Sequence, residues 1–450
     1  MNRKQKLVSI LLACILMVGF LPTMSFAAVP KEEQGLAFAL DPTEVDIAED
    51  FNEFKDLTKD MLDVSKLFKL KDGKDLKQKV DLTDTFQTGR LIVRPDSPLP
   101  ADVLKTAQKA ISYLDYVILQ FSSKKAAQNA YEALKDLYGS GRVIPDVIFK
   151  ANINEVKALQ PIDMREKPTT GPYLSWGVRN MGMDKVKAKL AKRSNKPTVR
   201  VAVLDTGISM LDSIYESGRI ANQFDAVLFS GLPMDFNGHG TFCAGVIAES
   251  TPSNVKIVPV KVMNATGFGS TLSIIIGCFY AAEIKADVVS MSLGGEVVEG
   301  INYLDEFFKD IRNNKGCIVV ASGNEARDVK YSYPANSKYV ITVSGLKQNN
   351  RVDRRYSNYG SQVDFAAPGT DVGGTYAVLG IPMYQEASGT SMAAPHVAAA
   401  CALIKTAHPS YNQTQVYNVL KAYSVDIEAK GKDIRAGWGR IDLSGYANRI

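Results

Sequence analysis

Val201-Ala202-Val203-Leu204-Asp205-Thr206-Gly207 is an apolar run that ends in a carboxylate and a glycine. Its apolar residues are continuous and do not alternate, so both faces of the segment must be covered, as in an inner strand of a parallel sheet. A carboxylate at the C-terminal edge of such a strand stands where open α/β sheets carry their sites. Outward from it, further apolar strands are expected at 256–262, 288–291, 318–321 and 340–344, alternating with helical segments. The alternation predicts an α/β three-layer sandwich with a mostly parallel sheet from residue 173 to 450.

Two other segments give the carboxylate company. Asn237-Gly238-His239-Gly240-Thr241 opens an apolar segment and flanks one of only three histidines with glycines, leaving its ring accessible. Gly389-Thr390-Ser391-Met392-Ala393-Ala394-Pro395-His396 sets a serine before an apolar run, 397–403, that reads as a buried helix. A hydroxyl there meets unpaired backbone N–H groups and the positive end of the helix dipole, where charge developing on an attacked carbonyl oxygen is stabilised. In this arrangement Ser391 is the nucleophile, His239 the general base and then acid, and Asp205 the group that holds the imidazole.

Aspartate, histidine and serine in the order 205, 239, 391 resemble the triad of the subtilisin-like serine peptidases, the subtilases. The resemblance implies further roles. Asn324, after the apolar strand ending at Ala321, would donate its side-chain amide to the oxyanion beside the Ser391 N–H. Ser292-Leu293-Gly294 and Gly267-Phe268-Gly269 would grip an extended peptide from two sides, as an added strand. Phe268 would wall an outer pocket, and Ser322 and Gly323 would border the first pocket with residues 293–295. Glu325, at that rim, either favours a basic residue before the cut or is a solvated carboxylate; the sequence leaves both open. The chemistry requires no cofactor. Structural calcium is left open, because the loop 248–254 is brief and no other ligand set is legible.

The 450 residues divide further. Residues 1–27 read as a signal peptide: charge at Arg3, Lys4 and Lys6, an apolar core, then small residues before a cut. A secreted protein without a membrane span is expected. Residues 28–88 form a charge-rich extension without a legible role. Residues 89–155 read as β-α-β-α-β, with a helix over 101–114 and a last strand over 143–149. The unit resembles the small α+β, ferredoxin-like propeptide of subtilases, which implies an intramolecular chaperone and inhibitor. Residues 156–172, rich in proline and threonine, read as the linker carrying the maturation cut.

A net charge of +5 is modest and spread out, so nucleic acid is not an expected partner. Cys243, Cys278, Cys317 and Cys401 lie in apolar surroundings and read as free thiols, with Cys243 one helical turn after His239. The resulting expectation is an exported serine endopeptidase made as a self-processing zymogen, acting on peptides or proteins. It is either a general degrader or a dedicated processing enzyme of the lantibiotic-leader kind. The alternative is a catalytically silent peptide-binding scaffold or chaperone, which should have a broken triad or lack the oxyanion donor.

Overall fold

The computed structural model describes residues 85–113, 116–139, 141–158, 175–298, 302–378 and 380–450. The expected signal peptide, most of the 28–88 extension and most of the 156–172 linker lie outside these residues. Strand β1 (Arg90–Val93), helix α1 (Ala101–Thr106), strands β2 (Ala107–Tyr113) and β3 (Tyr116–Phe121), helix α2 (Lys124–Tyr138) and strand β4 (Val143–Pro145) form a first layer pair. The sheet runs β2-β3-β1-β4, all neighbours antiparallel. Ser123 caps α2 by accepting the Ala126 N–H at 3.2 Å. Ala127, Ala130, Tyr131, Leu134 and Tyr138 turn inward, whereas Leu137 is 55% exposed.

Two expectations need correction. The helix expected over 101–114 ends at Thr106, and Ala107–Tyr113 pairs with β3 instead. Helix preference among Gln108, Lys109 and Ala110 is worth only tenths of a kcal/mol per residue, so a ladder on an open strand edge outweighs it. The last strand also breaks in two. After β4 the chain turns at Asp146, whose buried carboxylate pairs with Arg90, and β5 (Ile148–Ala151) leaves the first sheet. Strand β6 (Glu155–Ala158) follows.

The remaining elements are α3 (Met183–Ala191), β7 (Val199–Asp205), β8 (Phe224–Asp225), α4 (His239–Ser250), β9 (Val255–Lys261), β10 (Phe268–Ser270) and α5 (Thr271–Glu283). Then come β11 (Val288–Met291), β12 (Leu293–Glu296), α6 (Asp305–Asn313), β13 (Cys317–Ala321), β14 (Ser332–Tyr333), β15 (Ile341–Leu346) and β16 (Val363–Pro368). The chain closes with β17 (Val372–Val378), β18 (Ile381–Ser388), α7 (Thr390–Ala407), α8 (Gln413–Ala422), β19 (Ser424–Val425) and β20 (Arg440–Ile441). A nine-stranded sheet has the order β19-β20-β16-β15-β13-β11-β7-β9-β8 and is parallel apart from the β19–β20 edge pair.

The unbroken apolar run of β7 is explained by its two faces. Val199, Val201 and Val203 belong to the core on the side of α4 and α7, while Ala202 and Leu204 belong to the core on the side of α5. Helix α7 is buried from Thr390 to Thr406. Its alanines keep it thin, so α4 and the sheet close around it. No described helix is long and apolar enough to cross a membrane. All four described cysteines are buried free thiols.

Candidate active site

Parallel topology brings the C-terminal end of β7 and the N-termini of α4 and α7 to one edge of the sheet. Asp205, fully buried, accepts the Thr206 N–H at 2.7 Å through Oδ1, which also lies 2.6 Å from His239 Nδ1. His239 is the first residue of α4. Its loop is organised by a carboxylate that sequence reasoning missed, Asp235. Oδ1 accepts from the Thr206 hydroxyl and from the Asn237 and Gly238 N–H groups, and Oδ2 accepts from the Thr241 N–H and hydroxyl. The signal was present, since an aspartate two residues before Asn-Gly is turn chemistry. Gly240 is needed for close approach: a Cβ there would meet the Gly207 carbonyl oxygen at 2.3 Å.

The electrostatics single out one histidine of three. Burial on its own would push the His239 imidazole down, but the adjoining Asp205 carboxylate outweighs it and holds the ring well above its ordinary value. His396 has no such partner; burial takes it down to about 4, and its Nδ1 stays on the Met392 carbonyl at 2.7 Å.

Ser391 is the second residue of α7 and is fully buried. Its Oγ donates to the Ser292 carbonyl at 3.0 Å, while His239 Nε2 is buried without a hydrogen-bond partner. The serine and histidine are brought to the same locus but are not hydrogen-bonded to each other. Pro395 explains a second contact. Lacking an N–H, it cannot bond the Ser391 carbonyl four residues back. The Ser292 hydroxyl takes that carbonyl at 2.9 Å, and Cys243 Sγ lies 3.6 Å from it and 4.0 Å from His239 Nδ1. Burial raises the Cys243 thiol, so it is a neutral filler beneath the ring. Asp205, His239 and Cys243 are the one group of possible metal-ligating atoms found close together among the described residues, and two of the three are the acid and base themselves.

The cleft is occupied by the chain's own residues 148–154. Strand β5 lies between β10 and β12 and is antiparallel to both, with Phe268 opposite Lys150, Gly269 opposite Phe149 and Leu293 opposite Ala151. The Ala151 N–H donates to the Gly267 carbonyl and the Asn152 N–H to the Ser292 carbonyl, each at 3.0 Å. The Asn152 carbonyl oxygen accepts from two donors, the Ser391 N–H at 3.1 Å and Asn324 Nδ2 at 2.5 Å. Thr390 fixes that amide by donating its N–H and hydroxyl to Asn324 Oδ1 at 2.9 and 2.8 Å. Beyond, the Asn154 N–H donates to the Ser388 carbonyl at 2.8 Å, and β6 pairs with β18. The bond whose carbonyl oxygen these two donors hold is Asn152–Ile153, and it precedes the 156–172 segment. A Cβ on Gly389 would meet the Asn152 carbonyl oxygen at 2.6 Å, which accounts for the glycine before Thr390.

Asn152 lines a small cavity of about 10 Å³ together with Gly294, Gly295, Ala321, Gly323, Ser332 and Ala335. Ser322 stands behind this wall, its carbonyl accepting Asn358 Nδ2 at 3.0 Å. The Phe149 ring meets Tyr303 edge-on, with centroids 6.3 Å apart, and Phe268 stands opposite Lys150 in the β10–β5 ladder.

The Subtilase family pattern matches residues 196–439. The minor extracellular protease Epr of Bacillus subtilis (strain 168) is 28% identical over 67% of the chain and 47% of its own length. The chain thus spans about half of that relative. Subtilisin DY of Bacillus licheniformis is 32% identical over 62% of the chain and 99% of its own length. A cold-adapted subtilisin-like serine proteinase of known crystal structure aligns with a TM-score of 0.50 at 27% identity, covering 58% of the chain and 97% of that structure.

Proposed function

Since the chain belongs to the subtilase family, we propose that it is an exported serine-type endopeptidase, made as a zymogen that cuts its own Asn152–Ile153 bond. The observation that carries this reading is the Asn152 carbonyl oxygen held by both the Ser391 N–H and Asn324 Nδ2. Donors so aimed stabilise an oxygen that gains negative charge, and they do not serve an ordinary turn. Ser391 Oγ leaves the Ser292 carbonyl, attacks the Asn152 carbonyl carbon and passes its proton to His239 Nε2. Asp205 holds the resulting imidazolium. Collapse breaks the bond to Ile153, whose nitrogen takes the proton from His239, and leaves residue 152 as an ester on Ser391. Water, activated by the same imidazole, then releases the acid. The chemistry uses no cofactor. Residues 1–27 direct export, and residues up to 152 act as propeptide. The intact acid–base pair and oxyanion donors leave the silent-scaffold alternative without support.

The test is the intact mass and N-terminus of purified wild type beside Ser391→Ala. Wild type is expected to begin at Ile153 and the variant to stay whole. Asn324→Ala should slow the cut by roughly 10²–10³. A different new N-terminus would refute the Asn152–Ile153 assignment, and cutting of Ser391→Ala at the wild-type rate would refute self-processing.

A further inference from the structure

Four side chains of the segment before the proposed cut reach the cleft, and they are not held alike. Asn152 lines its small cavity with its Nδ2 buried and without a hydrogen-bond partner. Ala151 offers only a methyl group. Phe149 is fully buried against an apolar wall. Lys150 alone is read by charge: its Nζ lies 2.8 Å from Glu325 Oε1.

Glu325 is built to present that oxygen. Its other oxygen, Oε2, accepts the Asn324 N–H at 3.0 Å and Asn358 Nδ2 at 2.9 Å, groups of the enzyme itself. Asn358 Oδ1 in turn accepts the Glu325 and Arg327 N–H groups at 2.9 and 3.1 Å, tying the loop to the side chain that orients it. The neighbouring cation, Arg327, is directed elsewhere, with Nη2 on Glu296 Oε1 at 2.8 Å. The carboxylate is thus oriented without Lys150, and the free oxygen faces the incoming chain. A preorganised acceptor loses less on binding than one that must be ordered.

We infer that Glu325 is a specificity-determining residue, selecting a lysine or arginine at the third position before the scissile bond of protein substrates. The inference rests on the endopeptidase reading and deepens it. The charge-matched subsite favours an enzyme that picks cationic sites over one that cuts at random. A negative charge at that position is repelled by the Glu325 carboxylate, and such repulsion discriminates more than the attraction itself gains.

The experiment uses the processed enzyme and three quenched-fluorescent peptides copying residues 147–156. One is native, one carries Lys150→Gln and one Lys150→Glu. The expected order of kcat/KM is native, then Gln, then Glu, spanning about tenfold or more, as a partly exposed but oriented ion pair gives. Glu325→Gln should flatten the series, and Glu325→Lys should invert it. Equal rates for the three peptides on wild type, or an unchanged order on Glu325→Gln, would overturn the inference while leaving the protease reading intact. Failure of wild type to cut any peptide, with Ser391→Ala equally silent, would instead remove the protease reading and the inference with it. The wild-type series alone decides the matter should either variant misfold.

Discussion

His239 stands under two opposed pressures, and the balance between them sets the pH at which the proposed chemistry can run. The ring must be neutral to accept the Ser391 proton. Burial favours the neutral form, the Asp205 carboxylate favours the charged one, and the carboxylate wins. The acid limb of kcat/KM should therefore fall above pH ~6.5, the ordinary histidine value, with activity rising as pH passes through it. In Asp205→Asn the opposing pressure is gone. Its limb should move to lower pH while turnover drops by roughly 10⁴ because the tautomer is no longer held. A limb that stays put in the variant would mean that Asp205 does not control the base. At this scale the runs themselves were legible: Asp205 ends one, Asn324 follows one, and His239 and Ser391 precede one, and the fold brings all four to the same edge of the sheet. Asp235 carried a turn signal that was missed, whereas the bond from the Ser292 hydroxyl to the Ser391 carbonyl was not legible, because it joins segments far apart in the chain. Glu325 was noticed but undecided, since its partner Lys150 lies over 170 positions away.

Elements end where their backbone groups find partners, and α4 illustrates how a distant residue supplies them. The helix that carries His239 leaves C-terminal carbonyls open at Ala248 and in the brief loop beyond. The buried Arg219 guanidinium donates to the Ala248 carbonyl at 2.5 Å, to the Thr251 carbonyl and hydroxyl at 3.3 and 2.7 Å, and to the Val255 carbonyl at 2.9 Å. Burial brings this guanidinium down to about 10, still charged at neutral pH. One side chain thereby fixes the end of α4 and the start of β9. Arg219→Met keeps much of the volume and strands the acceptors, so it should cost on the order of 3 kcal/mol, read as a lowered denaturation midpoint. A loss below ~0.5 kcal/mol would mean that water replaces the guanidinium. Helices and strands with two-sided burial were legible from their apolar runs, as in β7 and α7. The segment over 101–114 was not, because its β2 half is an edge strand whose identity depends on the neighbour it pairs with.

At the scale of the molecule, the proposed cut at Asn152–Ile153 raises the question of what keeps the N-terminal unit on the cleft afterwards. Main-chain pairing of β5 is shared with any extended substrate and gives no preference for this partner. Asp146 gives one. It is fully buried, its Oδ2 bonds Arg90 Nε at 2.9 Å, and its Oδ1 accepts the Leu272 N–H at 2.9 Å in the first turn of α5. The next residue continues the seam, the Val147 N–H bonding Thr271 Oγ1 at 3.1 Å and its carbonyl the Thr271 N–H at 2.9 Å. A carboxylate at a helix N-terminus is favourable through both the open N–H groups and the dipole. By contrast Arg94 and Glu306 pair on exposed surface, where the gain is small. Asp146→Ala leaves Arg90 buried and unpaired and takes the acceptor from the Leu272 N–H, while the Ser270 cap of α5 remains. It should cost roughly 2–5 kcal/mol of docking, or ~10²-fold weaker inhibition by the cut N-terminal piece. The measurement is the lag before activity appears as the full chain processes itself, together with the amount of N-terminal piece co-purifying with the enzyme. Arg90→Met separates folding from docking, because it weakens the N-terminal unit internally yet leaves Asp146 free to accept the Leu272 N–H. If Asp146→Ala shortens the lag and Arg90→Met does so less, the bond from Leu272 to Asp146 is the retaining contact. If the two act alike, Asp146 serves the internal ion pair alone, and retention lies in the strand pairing of β5 with β10 and β12.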